Sequence, residues 1–310
     1  QLTLGMNAFI TAQGFTTFSM VSVLIGAVCN IILDPVFIFG WKMGVVGASI
    51  ATVIGEMAAG ILCLLYLRRL QSVQLEKGAL RPTWPVLKMI LQLGFPSLLT
   101  HGLTALVQIL LNNLMRVYGE VSIYGSDMAL SVYGMMMKVY QLAHSMFVGV
   151  SSAIQPINGY NFGAKNYQRV RQTYRLATGI AVVISAVWWM VYMVFSRQIA
   201  GLFVADNQLY FDCTQHCFRL YMMAFFLYGL HLTTASFFQG IGKPVKALAI
   251  PLARQGFFLI PLAILLAGQL GLDGALLAAP IADVLTFLLC LLLARREFSS
   301  WQQQGWLSQG

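Results

Sequence analysis

The chain has 310 residues, of which 58% are hydrophobic and only 9% charged. Soluble proteins carry roughly 25% charged residues, so a soluble fold of this size could not cover itself with so few ionic groups. A soluble enzyme, a nucleic-acid-binding domain and a disordered chain are excluded, which leaves an all-α polytopic membrane protein.

The apolar blocks match the ~20 helical residues that cross a ~30 Å hydrocarbon core. In chain order they predict the end of one helix over 1–14, then helices near 18–40, 46–67, 86–115, 124–152, 172–196, 210–238, 244–267 and 273–294. The net charge of +9 is a topology signal. One set of alternate gaps holds thirteen of the 19 Lys and Arg, among them Arg68, Lys77, Lys165, Arg175, Lys243 and Arg295. The other set holds Lys42, Arg116 and Arg197 beside five acidic residues. Basic loops stay in the cytoplasm, so the C-terminus is expected to be cytoplasmic, and no nucleic-acid partner is expected. Cys213, His216 and Cys217, with Asp212 beside them, have a spacing that could seat a metal, but no second ligand cluster completes such a site.

Two stretches repeat. Gln13-Gly14, Pro35, Gly44-x-x-Gly47-Ala48, Ala51, Glu56 and Arg68-Arg69 reappear as Gln239-Gly240, Pro261, Gly271-x-x-Gly274-Ala275, Ala278, Asp283 and Arg295-Arg296. The offset is 226 residues for the first three positions and 227 for the rest. Self-similarity at a fixed period means duplicated architecture, and both copies end in basic residues, so the repeat is parallel. The second copy has about 150 residues before its Gln-Gly and the first only twelve. The chain also opens on Gln1, inside a helix, with no signal-like segment. The expectation is a whole of six plus six transmembrane helices, with about the first three and a half missing from this chain. Residues 1–70 would be the remainder of the N-terminal lobe, 71–85 a cytoplasmic interlobe linker and 86–310 the C-terminal lobe.

No phosphate-binding G-x-x-x-x-G-K-[ST] loop, H-E-x-x-H or G-x-S-x-G is present. The informative residues are ionisable groups inside spans, because a charge in hydrocarbon is costly and usually functional. Asp34 has Asn30 four residues before it, on the same helical face, and Pro35 after it, which leaves the carbonyl of Ile31 without its helical donor. Thr52 lies on the next, antiparallel helix at a similar depth, roughly 9–12 Å from the outer surface at 1.5 Å per residue. Carboxylate, amide and hydroxyl together offer oxygen ligands for a hard cation, or a proton relay. Hydrogen bonding between helices would account for Asn30 and Thr52, but it does not require a carboxylate. Glu56 and Asp283 occupy equivalent repeat positions near the midplane, which suits helix packing or the lining of a polar interior equally. Arg254 could neutralise a carboxylate or meet an anionic group. Met135, in a run of three methionines flanked by Tyr133 and Tyr140, suits either a plastic apolar cavity or plain core.

Asn30-Ile31-Ile32-Leu33-Asp34-Pro35-Val36-Phe37-Ile38-Phe39, followed by Gly44-Val45-Val46-Gly47-Ala48, resembles the N-lobe signature of the MATE (multidrug and toxic compound extrusion) transporters. Gln155-Pro156-Ile157-Asn158-Gly159-Tyr160-Asn161-Phe162-Gly163 resembles the stretch after the family's eighth helix, and Gln239-Gly240-Ile241-Gly242-Lys243-Pro244 and Arg254-Gln255-Gly256 also fit. The resemblance implies a two-lobe bundle in a bacterial cytoplasmic membrane. It also implies export of cationic amphiphilic drugs or dyes in exchange for Na⁺ or H⁺, with no cofactor, as a monomer among membrane lipids. It places the cation at Asn30, Asp34 and Thr52, and Gln155 and Asn161 beside the cavity. The family's first-helix acid has no counterpart in this chain, and helix 86–115 offers Thr100, His101, Thr104, Gln108 and Asn112 but no carboxylate. A lipid-linked oligosaccharide flippase of the same superfamily and a non-transporting membrane scaffold are the alternative readings.

Overall fold

A computed structural model of the chain describes residues 2–12, 15–68, 83–204 and 207–306. Most of the expected linker 71–85 lies outside the described residues. All regular structure among the described residues is helical: α1 Leu2–Ala12, α2 Thr16–Pro35, α3 Gly44–Arg68, α4 Trp84–Val121, α5 Ser126–Gly163, α6 Tyr167–Val194, the short α7 Ser196–Gly201, α8 Gln208–Tyr221, α9 Tyr228–Gly240, α10 Pro244–Leu252, α11 Ile260–Leu270 and α12 Leu272–Gln303. Six spans among them are long and apolar enough to cross a membrane, and a seventh is added if α8 and α9, bent by 43° at their junction, count as one. Helix α5 is also long enough, with 38 residues or about 57 Å, but polar side chains such as Ser131, Gln141 and His144 lower its hydropathy. The chain forms two compact units, Gln1–Trp84 and Pro85–Gly310.

In the first unit α2 and α3 make the main contact. They touch backbone to backbone, since a Cβ on Gly55 would lie 2.6 Å from the carbonyl oxygen of Gly26. Small residues permit such close crossings where lipid supplies no hydrophobic drive. Pro35 ends the regular winding of α2, and Val36–Gly40 continues as one π-helical turn, the usual accommodation of a lost helical hydrogen bond.

The second unit repeats this design. Ala253–Leu259 is a π-helical turn between α10 and α11, close before Pro261. Gly44 and Gly271, equivalent in the repeat, both have positive φ (55° and 62°) and each opens the second helix of its hairpin. The core is a run of aromatic and Met side chains, including Met136, Phe147, Phe218 and Phe225. A smaller cluster near the end of α12 holds Phe237, Phe238 and Trp301. There Lys243 and Lys246 both reach the buried Glu297, the latter at 2.7 Å, and Trp301 Nε1 donates to the same carboxylate at 2.9 Å.

The break between α8 and α9 contains no Gly or Pro. It is held by α6. Trp189 Nε1 donates to the carbonyl of Met223 at 2.9 Å, and the N–H of Gly229 donates to Ser185 Oγ at 3.1 Å. Backbone groups freed inside a membrane must find partners within the protein, and these two side chains supply them. The fit is close: a Cβ on Gly229 would lie 2.7 Å from Ser185 Oγ. Ser185→Ala, which leaves a buried N–H unmet, is expected to cost about 1–3 kcal/mol. A lowered thermal midpoint of the detergent-solubilised protein checks this, and an unchanged midpoint would show that the break does not depend on Ser185.

Candidate functional site

In the first unit the expected constellation is assembled. Asn30 Nδ2, one turn before Asp34 on α2, donates to Asp34 Oδ1 at 3.4 Å and across to Thr52 Oγ1 on α3 at 3.2 Å. Thr52 Oγ1 in turn donates to the carbonyl of Ala48 at 2.9 Å, so its lone pairs face the amide. The crossing of Gly26 and Gly55 sets this geometry, because a Cβ on Gly55 would lie 3.3 Å from Asn30 Cβ. One amide donor lies between a carboxylate and a hydroxyl oxygen. A position favouring a donor N–H between two oxygens also favours a small cation, and rotating the Asn30 amide brings in a third oxygen. The side chains present therefore fit a hard cation or a proton. The packing glycines carry as much of this site as its polar residues, although no single-residue signal marks them.

Glu56 is exposed and lies elsewhere on α3. Its carbonyl accepts from Thr3 Oγ1 at 3.4 Å, and it borders a cavity of about 310 Å³ with Met57 and Gly60. Its carboxylate has no partner among the described residues. Its repeat equivalent differs. Asp283, on α12, is buried and its Oδ1 accepts from Arg254 Nε at 2.7 Å, with 6% and 9% of the two side chains exposed. At the 226-residue offset Val28 stands where Arg254 does, so the position equivalent to Arg254 offers Glu56 no guanidinium.

Around the ion pair lies an aromatic and histidine shell. The Arg254 guanidinium sits 5.1 Å from the Tyr228 ring centre, and Tyr228 Oη pairs with His144 Nδ1 at 2.9 Å. Tyr140 and His231 meet the same ring edge-on, at 5.3 and 4.4 Å between ring centres. His144 and His231 were not singled out from the sequence. Their signal was available, because each falls inside an expected apolar span and the chain has only four histidines.

The remaining candidates are not drawn into either cluster. Met135 is buried in the core against Tyr210, whose hydroxyl lies 3.9 Å from its sulfur. Asn161 Nδ2 donates to the carbonyl of Ile157 on its own helix at 2.8 Å. The carbonyl of Gln155 meets α9, where a Cβ on Gly240 would lie 2.9 Å from it. No group of three His, Cys, Asp or Glu among the described residues could hold a metal ion. His216 instead pairs with Asp273.

Residues 101–265 match the MatE family. The multidrug export protein MepA of Staphylococcus saprophyticus subsp. saprophyticus is 26% identical over 289 residues, which are 93% of this chain and 62% of that protein. MepA of Staphylococcus haemolyticus is 27% identical with the same coverage. The chain thus spans 62% of the length of these relatives. Among solved structures, MATE in the straight conformation superposes with a TM-score of 0.82 at 24% identity, over 96% of this chain and 66% of that one. The outward-facing structure of a multidrug resistance MATE family transporter of the MOP superfamily gives 0.82 at 23% identity, over the same shares. These likenesses concern the fold.

Proposed function

The chain belongs to the MatE family, and on that premise we propose that it works as a secondary active exporter of cationic amphiphilic compounds, driven by inward movement of Na⁺ or H⁺ at Asp34. The observation that carries this reading is the Asn30–Asp34–Thr52 cluster. It is a membrane carboxylate held by an amide and facing a hydroxyl on a second helix, in a protein whose relatives are multidrug export proteins. An intramembrane carboxylate is a functional site by default. Coupling needs cation and drug to prefer different states or to compete, and a cluster spanning two helices can sense their separation. No resident cofactor is required.

A flippase for pyrophosphate-linked sugars calls for several Arg facing one cavity. Arg254 is tied to Asp283 and Arg219 is exposed, which favours the exporter. A scaffold has no use for the Asp34 cluster.

The charge asymmetry supports a topology with the basic gaps and the C-terminus on the cytoplasmic side of a bacterial inner membrane and the α4–α5 and α11–α12 turns outside. In intact cells a cysteine replacing the exposed Gln208 should react with an impermeant thiol reagent, and one replacing the exposed Gln168 should react only after lysis. The opposite pattern would invert the topology. Efflux itself is tested with proteoliposomes of the protein at its full natural length, loaded with dye under an imposed Na⁺ or pH gradient. Absence of gradient-dependent efflux under both conditions would overturn the exporter reading.

A further inference from the structure

Helix α5 has a polar face that is turned outwards. At about 100° per residue, Asp127, Ser131, Lys138, Gln141, Ser145 and Ser152 fall within one arc of about 80°, and all six are exposed. The remaining positions of that arc as far as 156 are Gly134, Gly149 and Pro156, so no large apolar side chain interrupts it. From 127 to 152 the face runs for about 38 Å, longer than the ~30 Å hydrocarbon core. The opposite face holds Val132, Met136, Ala143 and Phe147, which are buried in the core.

A face turned towards lipid is apolar, as on α6, where Val183 and Val187 are 63% and 56% exposed. On α5 the order is reversed. Lys138 makes the contrast sharpest. It lies twelve residues into the helix, about 18 Å from the first residue. Among the described residues it has neither an ion-pair nor a hydrogen-bond partner. A charged side chain at membrane depth faces the protein interior or a water-filled cavity. Snorkelling to a headgroup would account for the lysine, but not for the uncharged polar residues before and after it. Ser145 Oγ donates to the carbonyl of Leu142 on its own helix at 2.7 Å, and Ser131 and Gln141 have no side-chain partner among the described residues. Water is the solvent that suits such a face.

We propose that this face of α5 lines the water-filled path of the cargo and that Lys138 selects cargo by charge. It favours amphiphiles that carry a carboxylate beside their positive group over simple cations with the same body. Beyond Asp127 in the first turn, Lys138 is the only ionic group on the face. Its ammonium attracts an acid group passing it and repels a positive one. The choice of cargo rests on the exporter reading, whereas the exposure of Lys138 to water does not.

The test uses the full-length protein in nanodiscs, with a Gln141→Cys thiol and two water-soluble methanethiosulfonates, one ending in a sulfonate and one in a quaternary ammonium. Both should modify this thiol much faster than a Val183→Cys thiol on the apolar face of α6. Positions 138 and 141 are about 5–6 Å apart between Cβ atoms, where a unit charge in water changes the local concentration of a charged probe about threefold. The effect has opposite sign for the two probes, so Lys138→Gln should lower the sulfonate-to-ammonium rate ratio roughly tenfold, and Lys138→Arg should keep it. Salt screens the same field, so the ratio in the protein with Lys138 intact should also fall as ionic strength rises, which decides the point if Lys138→Gln does not fold. Cargo selection is read in proteoliposomes, as the efflux of a carboxylate-bearing rhodamine relative to that of its methyl ester. Lys138→Gln should lower this ratio several-fold and Lys138→Arg should keep it, whatever the amount of folded protein. An unreactive Gln141→Cys thiol, or a rate ratio indifferent to both Lys138→Gln and salt, overturns the proposal. So does an efflux ratio equal in wild type and Lys138→Gln. Wild-type protein that moves neither dye overturns the exporter reading and with it the choice of cargo, while the thiol rates still decide whether Lys138 faces water.

Discussion

Asp34→Asn is expected to abolish ion-coupled efflux while leaving the protein folded and inserted. The amide keeps the shape of the carboxylate and can still pair with Asn30, now 3.4 Å away across one helical turn. What it loses is the charge, and an amide neither neutralises Na⁺ nor cycles a proton. Asn30→Ala and Thr52→Ala remove neutral ligands only. Each should cost about 0.5–1.5 kcal/mol, the net magnitude of a hydrogen bond outside a fully buried site, and lower cation affinity by roughly two- to 13-fold. Asp34→Glu moves the charge by one methylene and should keep part of the activity. The measurement is dye efflux from proteoliposomes under Na⁺ or pH gradients, with chromatographic monodispersity as the folding check. Wild-type efflux by Asp34→Asn under both gradients would make the carboxylate structural. Gly55→Ala offers a second route to the same site: the added carbon meets the Gly26 carbonyl oxygen at 2.6 Å, so α2 and α3 must part and the reach from Asn30 to Thr52 must lengthen. Weakened coupling without any change in a polar residue is the expected result.

Much of this was legible in the sequence because a bilayer imposes long apolar runs. The helices expected near 18–40, 46–67 and 244–267 appear as Thr16–Gly40, Gly44–Arg68 and Pro244–Leu270. The pairing of Asn30 with Asp34 followed from helical spacing, and their proximity to Thr52 from the short hairpin between α2 and α3. Hydropathy was less informative where burial continues past the hydrocarbon. Helix α5 was expected to stop near 152 but runs to Gly163, with Ile154 and Asn158 still buried. Helix α12 continues beyond Arg296 because Glu297 and Trp301 pack inward. The helix expected over 210–238 is broken. Its cause lies on α6, in Ser185 and Trp189, and a partner distant in sequence leaves no trace in the segment it bends. The repeat placed Asp283 opposite Glu56 but gave no hint that only one of them would be paired, because that depends on Arg254 and Val28, which differ between the copies.

That buried pair supports the largest expected loss of stability. Arg254 and Asp283 join the π-helical turn before α11 to the middle of α12. Removing ions from water is costly, and their mutual attraction repays it only while both are present. Asp283→Leu should therefore strand a guanidinium among Tyr228, Tyr140 and His231 and cost about 3–5 kcal/mol. Arg254→Met strands the carboxylate at a similar cost. Combined, the two substitutions remove both charges from an apolar site of comparable volume, and stability should recover to near the wild type. Thermal unfolding of the four proteins in detergent measures the cycle. A double variant as unstable as the singles would show that the pair is stabilising in itself rather than mutually neutralising. Efflux by the stable double variant then separates the remaining possibilities. If it pumps normally, the pair only fastens α11 to α12. If it folds but does not pump, the charges belong to the transport cycle, as the π-helical turn and the surrounding histidines already suggest, and the second unit takes part in coupling although α4 offers no carboxylate between Trp84 and Arg116.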